Sequence, residues 1–172
     1  MMNMPDSNRD DQGIPKIRLG AAPTIRVAAK ALIIRDAHIL MTVNSEEIKR
    51  YYLCPGGGQE HGEDVRTALR RECHEELDCD VTVGEFAFMR DYIGADHEFP
   101  AHSWAHALET YFFCELAPGA EPRLVGEGDP WQTGVAWLSL ATLANEPLYP
   151  KALVHWLAAP EGSRPGYLGN VN

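Results

Sequence analysis

The alternation of apolar and polar positions divides the chain into short strands, three helical stretches and loops. Ile25 to Arg35, rich in β-branched and small apolar residues, reads as a strand. Asp36-Ala37-His38 makes a turn, and Ile39 to Val43 returns as its hairpin partner. Ser45 to Arg50 reads as a polar loop and Tyr51 to Cys54 as a short strand that feeds Pro55-Gly56-Gly57-Gly58, where helix is excluded. Beyond Asp64 the period changes to that of a helix. Val81 to Tyr92 alternates as one or two strands, Gly94 to Ser103 is a loop, Ala105 to Leu116 a long aromatic strand and Pro118 to Thr133 a loop. Val135 to Leu138 is a last strand, Ser139 caps a short helix through Ala144, and Pro150 opens another through Ala158. Glu161 to Asn172 reads as an irregular tail. The pattern predicts an α/β fold, a mixed β-sheet with helices on its faces.

The stretch after Asp64 carries the chemistry. Asp64 is a good N-cap residue. At about 100° per residue, Val65, Ala68, Leu69 and Cys73 share one arc, while Thr67, Arg70, Arg71, His74 and Asp78 lie opposite. Glu72 and Glu76 fall within the apolar arc and Glu75 at its border. A solvated charge run would place its carboxylates opposite the apolar stripe, whereas these continue it. Two carboxylates ~6 Å apart at an effective dielectric of ~20 repel by roughly 3 kcal/mol. A group of three turned toward the protein body must take up protons or collect cations. Oxygen ligands of this kind suit Mg²⁺, which keeps waters and leaves room for substrate phosphates.

The spacing from Gly57 to Cys79 resembles the box of the Nudix hydrolase family, G-x5-E-x7-R-E-U-x-E-E-x-G-U with U a bulky aliphatic residue. Gly57, Glu63, Arg71, Glu72, Glu75 and Glu76 stand at the required positions, and Cys73 and Cys79 occupy the two U positions. Asp78 departs from the family glycine at the helix exit, a place that favours left-handed backbone, which Asp tolerates better than most residues. The resemblance spans residues 24–158. It implies an α/β/α sandwich and a pyrophosphate hydrolase. It also implies Mg²⁺ or Mn²⁺ held by Glu72, Glu75 and Glu76, joined by the Gly57 carbonyl, with Glu63 and Arg71 holding loop and helix in place. Glu127, in Gly126-Glu127-Gly128-Asp129-Pro130, is a further metal-binding or base carboxylate by the same resemblance. The general base stays open among Glu76, Glu72 and Glu127.

Outside the box, Arg26 and Lys30 share a strand face, and with Arg50 and Arg90 they are candidates to hold phosphate oxygens. Trp104, Trp131, Tyr92 and Phe99 are candidates to stack on a base, and Glu109 reads as a strand-face glutamate open to water. His97, His102 and His106 crowd one segment, with no zinc-ligand spacing among them. Net charge is −10, with 25 Asp plus Glu against 15 Lys plus Arg and no basic run. That balance argues against bulk DNA or long RNA as partner and leaves room for a small nucleotide substrate. The four cysteines lack paired spacing and read as reduced thiols of a cytoplasmic protein. No apolar stretch is long enough to span a membrane. Residues 1–23 form a polar tail or arm, 24–158 the hydrolase domain and 159–172 a C-terminal tail. A homodimer, common among members of the resembled family, is compatible with the chain. The competing expectation is a Nudix-like nucleotide-binding regulatory module without catalysis.

Overall fold

The computed structural model describes residues 24–46, 49–124 and 130–172. The expected tail over 1–23 and Glu127 lie outside these residues. Eight strands form one mixed sheet: β1 (Arg26–Arg35), β2 (His38–Glu46), β3 (Lys49–Leu53), β4 (Val81–Ile93), β5 (His106–Leu116), β6 (Gln132–Ser139), β7 (Leu148–Tyr149) and β8 (Tyr167–Asn170). Their order is β7-β3-β2-β1-β5-β4-β8, with β6 pairing β2. β1–β5, β3–β7 and β4–β8 run parallel, while the other pairs are antiparallel.

Two helices, α1 (Val65–Leu77) and α2 (Ala152–Ala158), cover opposite faces of this sheet. Alternation along β1 sorts its side chains between them. Ala29, Ala31 and Ile33 pack with Leu69, Cys73 and Leu77 of α1. Leu32 turns the other way, into a second core with Phe88, Tyr111, Leu153 and Trp156. The expected α/β sandwich with a mixed sheet between helices is thus the observed architecture. All four cysteines are buried and free. Among the described residues, no helix is long and apolar enough to cross a membrane.

Three local expectations give way. At 45–46 and 49–50 the expected polar loop is replaced by extended chain, with Ser45 paired to Arg50 and Glu46 to Lys49, because hairpin pairing outweighs a polar composition. The helix expected after Ser139 is a 3-10 turn at Leu143–Asn145 without a side-chain cap. A two-residue strand, β7, follows it. Residues 161–172 are not irregular, since β8 pairs with β4 at Met89↔Tyr167 and Asp91↔Asn170. Four residues interrupted by a left-handed glycine, Gly169, show too little periodicity to announce a strand.

β1 and β2 pair only next to their turn, at Ile34↔Ile39 and Arg35↔His38. Beyond that point the chain after β3 takes over the edge of β1. Ala31 N donates to Pro55 O at 2.8 Å and Ala29 N to Gly57 O at 2.9 Å, and Gln59 N donates to Val27 O at 2.9 Å. The glycine segment therefore runs antiparallel along β1, between the sheet and α1.

Candidate functional site

The carboxylate of Asp64 accepts from Arg66 N and Thr67 N, each at 2.9 Å, and starts α1. The Thr67 N–H is the chief reason this carboxyl lies below its ordinary range. At the other end Asp78 adopts the left-handed conformation (φ 54°) and its N–H closes the last turn on His74 O. Ala68, Leu69, Cys73 and Leu77 are buried beneath the helix. Glu72 and Glu76 are half-buried, while Glu75 keeps 56% of its side chain exposed.

Two glycines receive the inward carboxylates. A Cβ on Gly57 would sit 2.3 Å from Glu72 Oε2, so that carboxylate rests against a bare Cα. Gly56 N–H donates to Glu76 Oε2 at 2.8 Å. Gly56 has φ +121°, and a Cβ there would lie 2.2 Å from Ala29 O and 2.9 Å from the Leu69 methyl. Only glycine meets both demands, since the backbone conformation is closed to side chains and β1 leaves no space.

Arg71, expected on the solvated arc, instead folds back as a hub. It donates to Glu63 at 2.8 Å, to Gly58 O at 3.0 Å and to Glu72 at 2.9 Å, with Glu75 at 3.5 Å. Glu63 also accepts from Glu60 N at 2.8 Å. The Arg71 hydrogen bond first, and the Glu60 N–H second, hold the Glu63 carboxyl below its ordinary range. The arrangement ties the loop before α1, the glycine segment and the helix carboxylates to one guanidinium.

The cations distribute differently from the sequence-based expectation. Arg26 lies beside Gly58, where a Cβ would be 2.2 Å from its Nε. Arg50 is exposed beside a cavity of about 420 Å³ lined by Val43, Ser45 and residues 133–135, whose lining excludes the α1 carboxylates. Arg90 is a correction. It is 4% exposed, and it donates to Glu109 Oε2 at 2.8 Å and to the Val171 carbonyl. Its Nε and Nη1 are engaged inside the protein. Glu109 is likewise not a water-facing glutamate, because only 14% of its side chain is exposed and Tyr111 Oη donates to it at 2.7 Å. Burial pushes the Glu109 carboxyl up, but Arg90 and Lys30 beside it more than offset this and hold it below the ordinary range.

Three of the four stacking candidates are engaged with other rings. Trp131 packs edge-on against His102, with centroids 5.5 Å apart. Phe99 is wedged between Tyr51 and Tyr149, and Tyr92 stacks on His97 at 5.2 Å. Trp104 is 63% exposed. Sequence reading missed Gln132. It is buried, its Nε2 donates to Glu76 O at 3.0 Å, and its Oε1 has no partner among the described residues. A lone glutamine ahead of a strand gives no signal of such a contact.

Among the described residues, no group of three His, Cys, Asp or Glu side chains converges closely enough to grip a metal as it stands. The donor chemistry nevertheless fits a hard divalent cation. Glu72, Glu75 and Glu76 supply oxygen only, from successive turns of one rigid helix. The Gly57 carbonyl accepts from Ala29 N and retains one lone pair.

The NUDIX domain family matches residues 24–158. No curated protein matches the chain. Among solved structures, the chain is similar to the ORF135 protein of E. coli, with 25% identity, 83% of this chain and 94% of that one covered, and a TM-score of 0.59. A MutT NUDIX hydrolase from Burkholderia pseudomallei shares 24% identity over 69% of this chain and 85% of its own, at TM-score 0.55. An ADP-ribose pyrophosphatase from Streptococcus suis shares 18% identity over 86% and 98%, at TM-score 0.56. The last two likenesses speak for the fold.

Proposed function

The chain belongs to the NUDIX family, and from that premise we propose that it is a metal-dependent hydrolase of a pyrophosphate bond. The substrate is a nucleoside diphosphate linked to another moiety, of the ADP-ribose, nucleotide-sugar or modified-nucleotide kind. The observation that carries the reading is the delivery of Glu72 and Glu76 onto the bare glycine segment, where ordinary helix design would place apolar groups.

Glu72, Glu75 and Glu76 would hold Mg²⁺ or Mn²⁺, with the Gly57 carbonyl and Glu127 as further oxygen donors. A bound divalent ion neutralises charge on the leaving phosphate and lowers the pKa of a coordinated water. The chain's own groups do the rest. Glu63 and Arg71 fix loop against helix, so the carboxylates keep their spacing. Arg26, which has no carboxylate partner among the described residues, meets phosphate oxygens from beside Gly58. One carboxylate accepts the proton of the attacking water, and Glu76, Glu72 and Glu127 share that candidacy. Residues 24–158 form the working unit, with residues 159–172 completing the sheet through β8. A cytoplasmic setting follows from four free thiols and a small-nucleotide substrate.

One observation favours a second reading. Arg71 engages both Glu72 and Glu75 and so competes with a cation for carboxylates that turnover would need. Product release from ADP-ribose, dinucleotide polyphosphates and nucleoside triphosphates, read as phosphomonoester or pyrophosphate with and without Mg²⁺, separates the two. Mg²⁺-dependent release from one class establishes the hydrolase. Saturable ligand binding without release establishes the module.

A further inference from the structure

Both backbone polar groups of Gly56 are held by charged side chains from different elements. Its N–H donates to Glu76 Oε2 at 2.8 Å, and its carbonyl accepts from Lys30 Nζ. Gly56 is wedged between Ala29 O of β1 and Leu69 of α1, so it has little room to adjust by itself. Lys30 stands on β1, on the face that carries Leu32. The β1–β5 register sets it opposite Tyr111 and sets Ala28 opposite Glu109. Glu109 in turn is hydrogen-bonded by Arg90 and Tyr111. A half-buried ammonium is costly unless anions and acceptors surround it. Here the Glu109 carboxylate supplies the nearby charge and Gly56 the acceptor.

We propose that Lys30 is a positioning residue for Glu76: by fixing the Gly56 carbonyl it sets the Gly56 N–H that orients the Glu76 carboxylate, and Glu109, on the same face of the sheet as Lys30, anchors the ammonium. The proposal deepens the hydrolase reading and rests on it for Glu76. It gives a buried ion pair, remote from the acidic helix along the sequence, a share in the site.

The test compares Lys30→Met, Lys30→Arg, Glu76→Gln and the Lys30→Met/Glu76→Gln double variant. Loss of one charged hydrogen bond predicts a kcat about tenfold lower in Lys30→Met, with KM moved less than about threefold. Lys30→Arg restores most of it. In the double variant kcat equals that of Glu76→Gln alone, because both substitutions act through one carboxylate. The backbone amide of Gly56, followed by NMR, shifts in Lys30→Met and in Glu76→Gln and exchanges about tenfold faster in Lys30→Met.

Multiplicative losses in the double variant overturn the proposal. So does a rise in KM alone, which would mean that Lys30 meets substrate, or an unmoved Gly56 amide. Should the wild-type protein cleave none of the pyrophosphate substrates, the hydrolase reading fails while the Gly56 amide still decides the clamp. Should Lys30→Met not fold, Lys30→Gln, a shorter neutral donor, takes its place with the same expected and overturning outcomes.

Discussion

Two charged clusters meet at the same glycine segment, and their environments differ. On the α1 side, Glu63, Arg71, Glu72 and Glu75 keep 14–56% of their side chains exposed. On the other face, Arg90 and Glu109 keep 4% and 14%, with Lys30 and Tyr111 against them. Exposed pairs contribute at most about 1 kcal/mol each to stability. Removing one partner of a buried pair costs about 3–5 kcal/mol, because the other charge is stranded. The same residue types therefore serve different ends: water-accessible carboxylates remain available to a ligand, whereas the enclosed ones hold the sheet and the glycine segment in register.

The comparison is broken most directly at Glu76. Glu76→Gln keeps the shape of the side chain and removes its charge, so turnover should fall at least 100-fold, about 3 kcal/mol of transition-state stabilisation. The melting temperature should stay within a few degrees. Steady-state kinetics beside a thermal melt check both. Near-normal turnover would remove the acidic cluster from the chemistry. Isothermal titration with Mn²⁺ gives the companion result, with uptake that weakens in the same variant.

Glu109→Gln should invert that profile. It strands Arg90, and the expected loss is about 3 kcal/mol of unfolding free energy, read by urea denaturation. A stable Glu109→Gln variant would mean that the enclosed cluster does not bear on the fold.

Acid sharpens the contrast further. The Glu109 and Glu63 carboxyls lie below their ordinary range in the folded protein. The unfolded chain, with an ordinary Glu near 4.3, thus binds the proton more readily. The stability each contributes is fully present above that value and is lost as pH falls through the depressed folded value. The urea midpoints of wild type and Glu109→Gln should therefore draw together as pH falls below about 4.3 toward the depressed folded value. Glu63→Gln should show the same convergence on a smaller scale, because its partner Arg71 is 26% exposed against 4% for Arg90.

The open cluster was legible in the sequence because one helix delivers it. Asp64, the 3.6-residue period and the glycines fix where Glu72 and Glu76 point before any tertiary contact is known. The enclosed cluster was not. Arg90 reaches Glu109 only through the antiparallel register of β4 on β5, and Lys30 reaches Gly56 only because β1 leaves β2 after two paired residues. Such placements depend on which strands pair, and the alternation of Val81 to Tyr92 is the same whether Arg90 ends in water or inside. Arg71 shows the limit on the helix itself, since a wheel gives its direction but not the reach of a guanidinium toward Glu63 and Gly58 O.

Asp78 marks the edge of the open cluster and carries the smallest expected effect. Its left-handed backbone (φ 54°) costs a residue with a side chain about 1 kcal/mol, less for Asp than for most. Arg123 pairs with it at 2.6 Å, but the two side chains are 73% and 33% exposed, so that pair offsets only part of the cost. Restoring glycine removes both the strain and the pair, and it adds freedom to the unfolded chain. Asp78→Gly should therefore shift stability by less than about 1 kcal/mol and leave turnover unchanged. Asp78→Val keeps a side chain, adds β-branching and loses the pair, and should cost about 2 kcal/mol. If Asp78→Gly instead altered kcat, the helix exit would belong to the chemistry, and the boundary between the gripping carboxylates and their scaffold would have to move one turn toward Cys79.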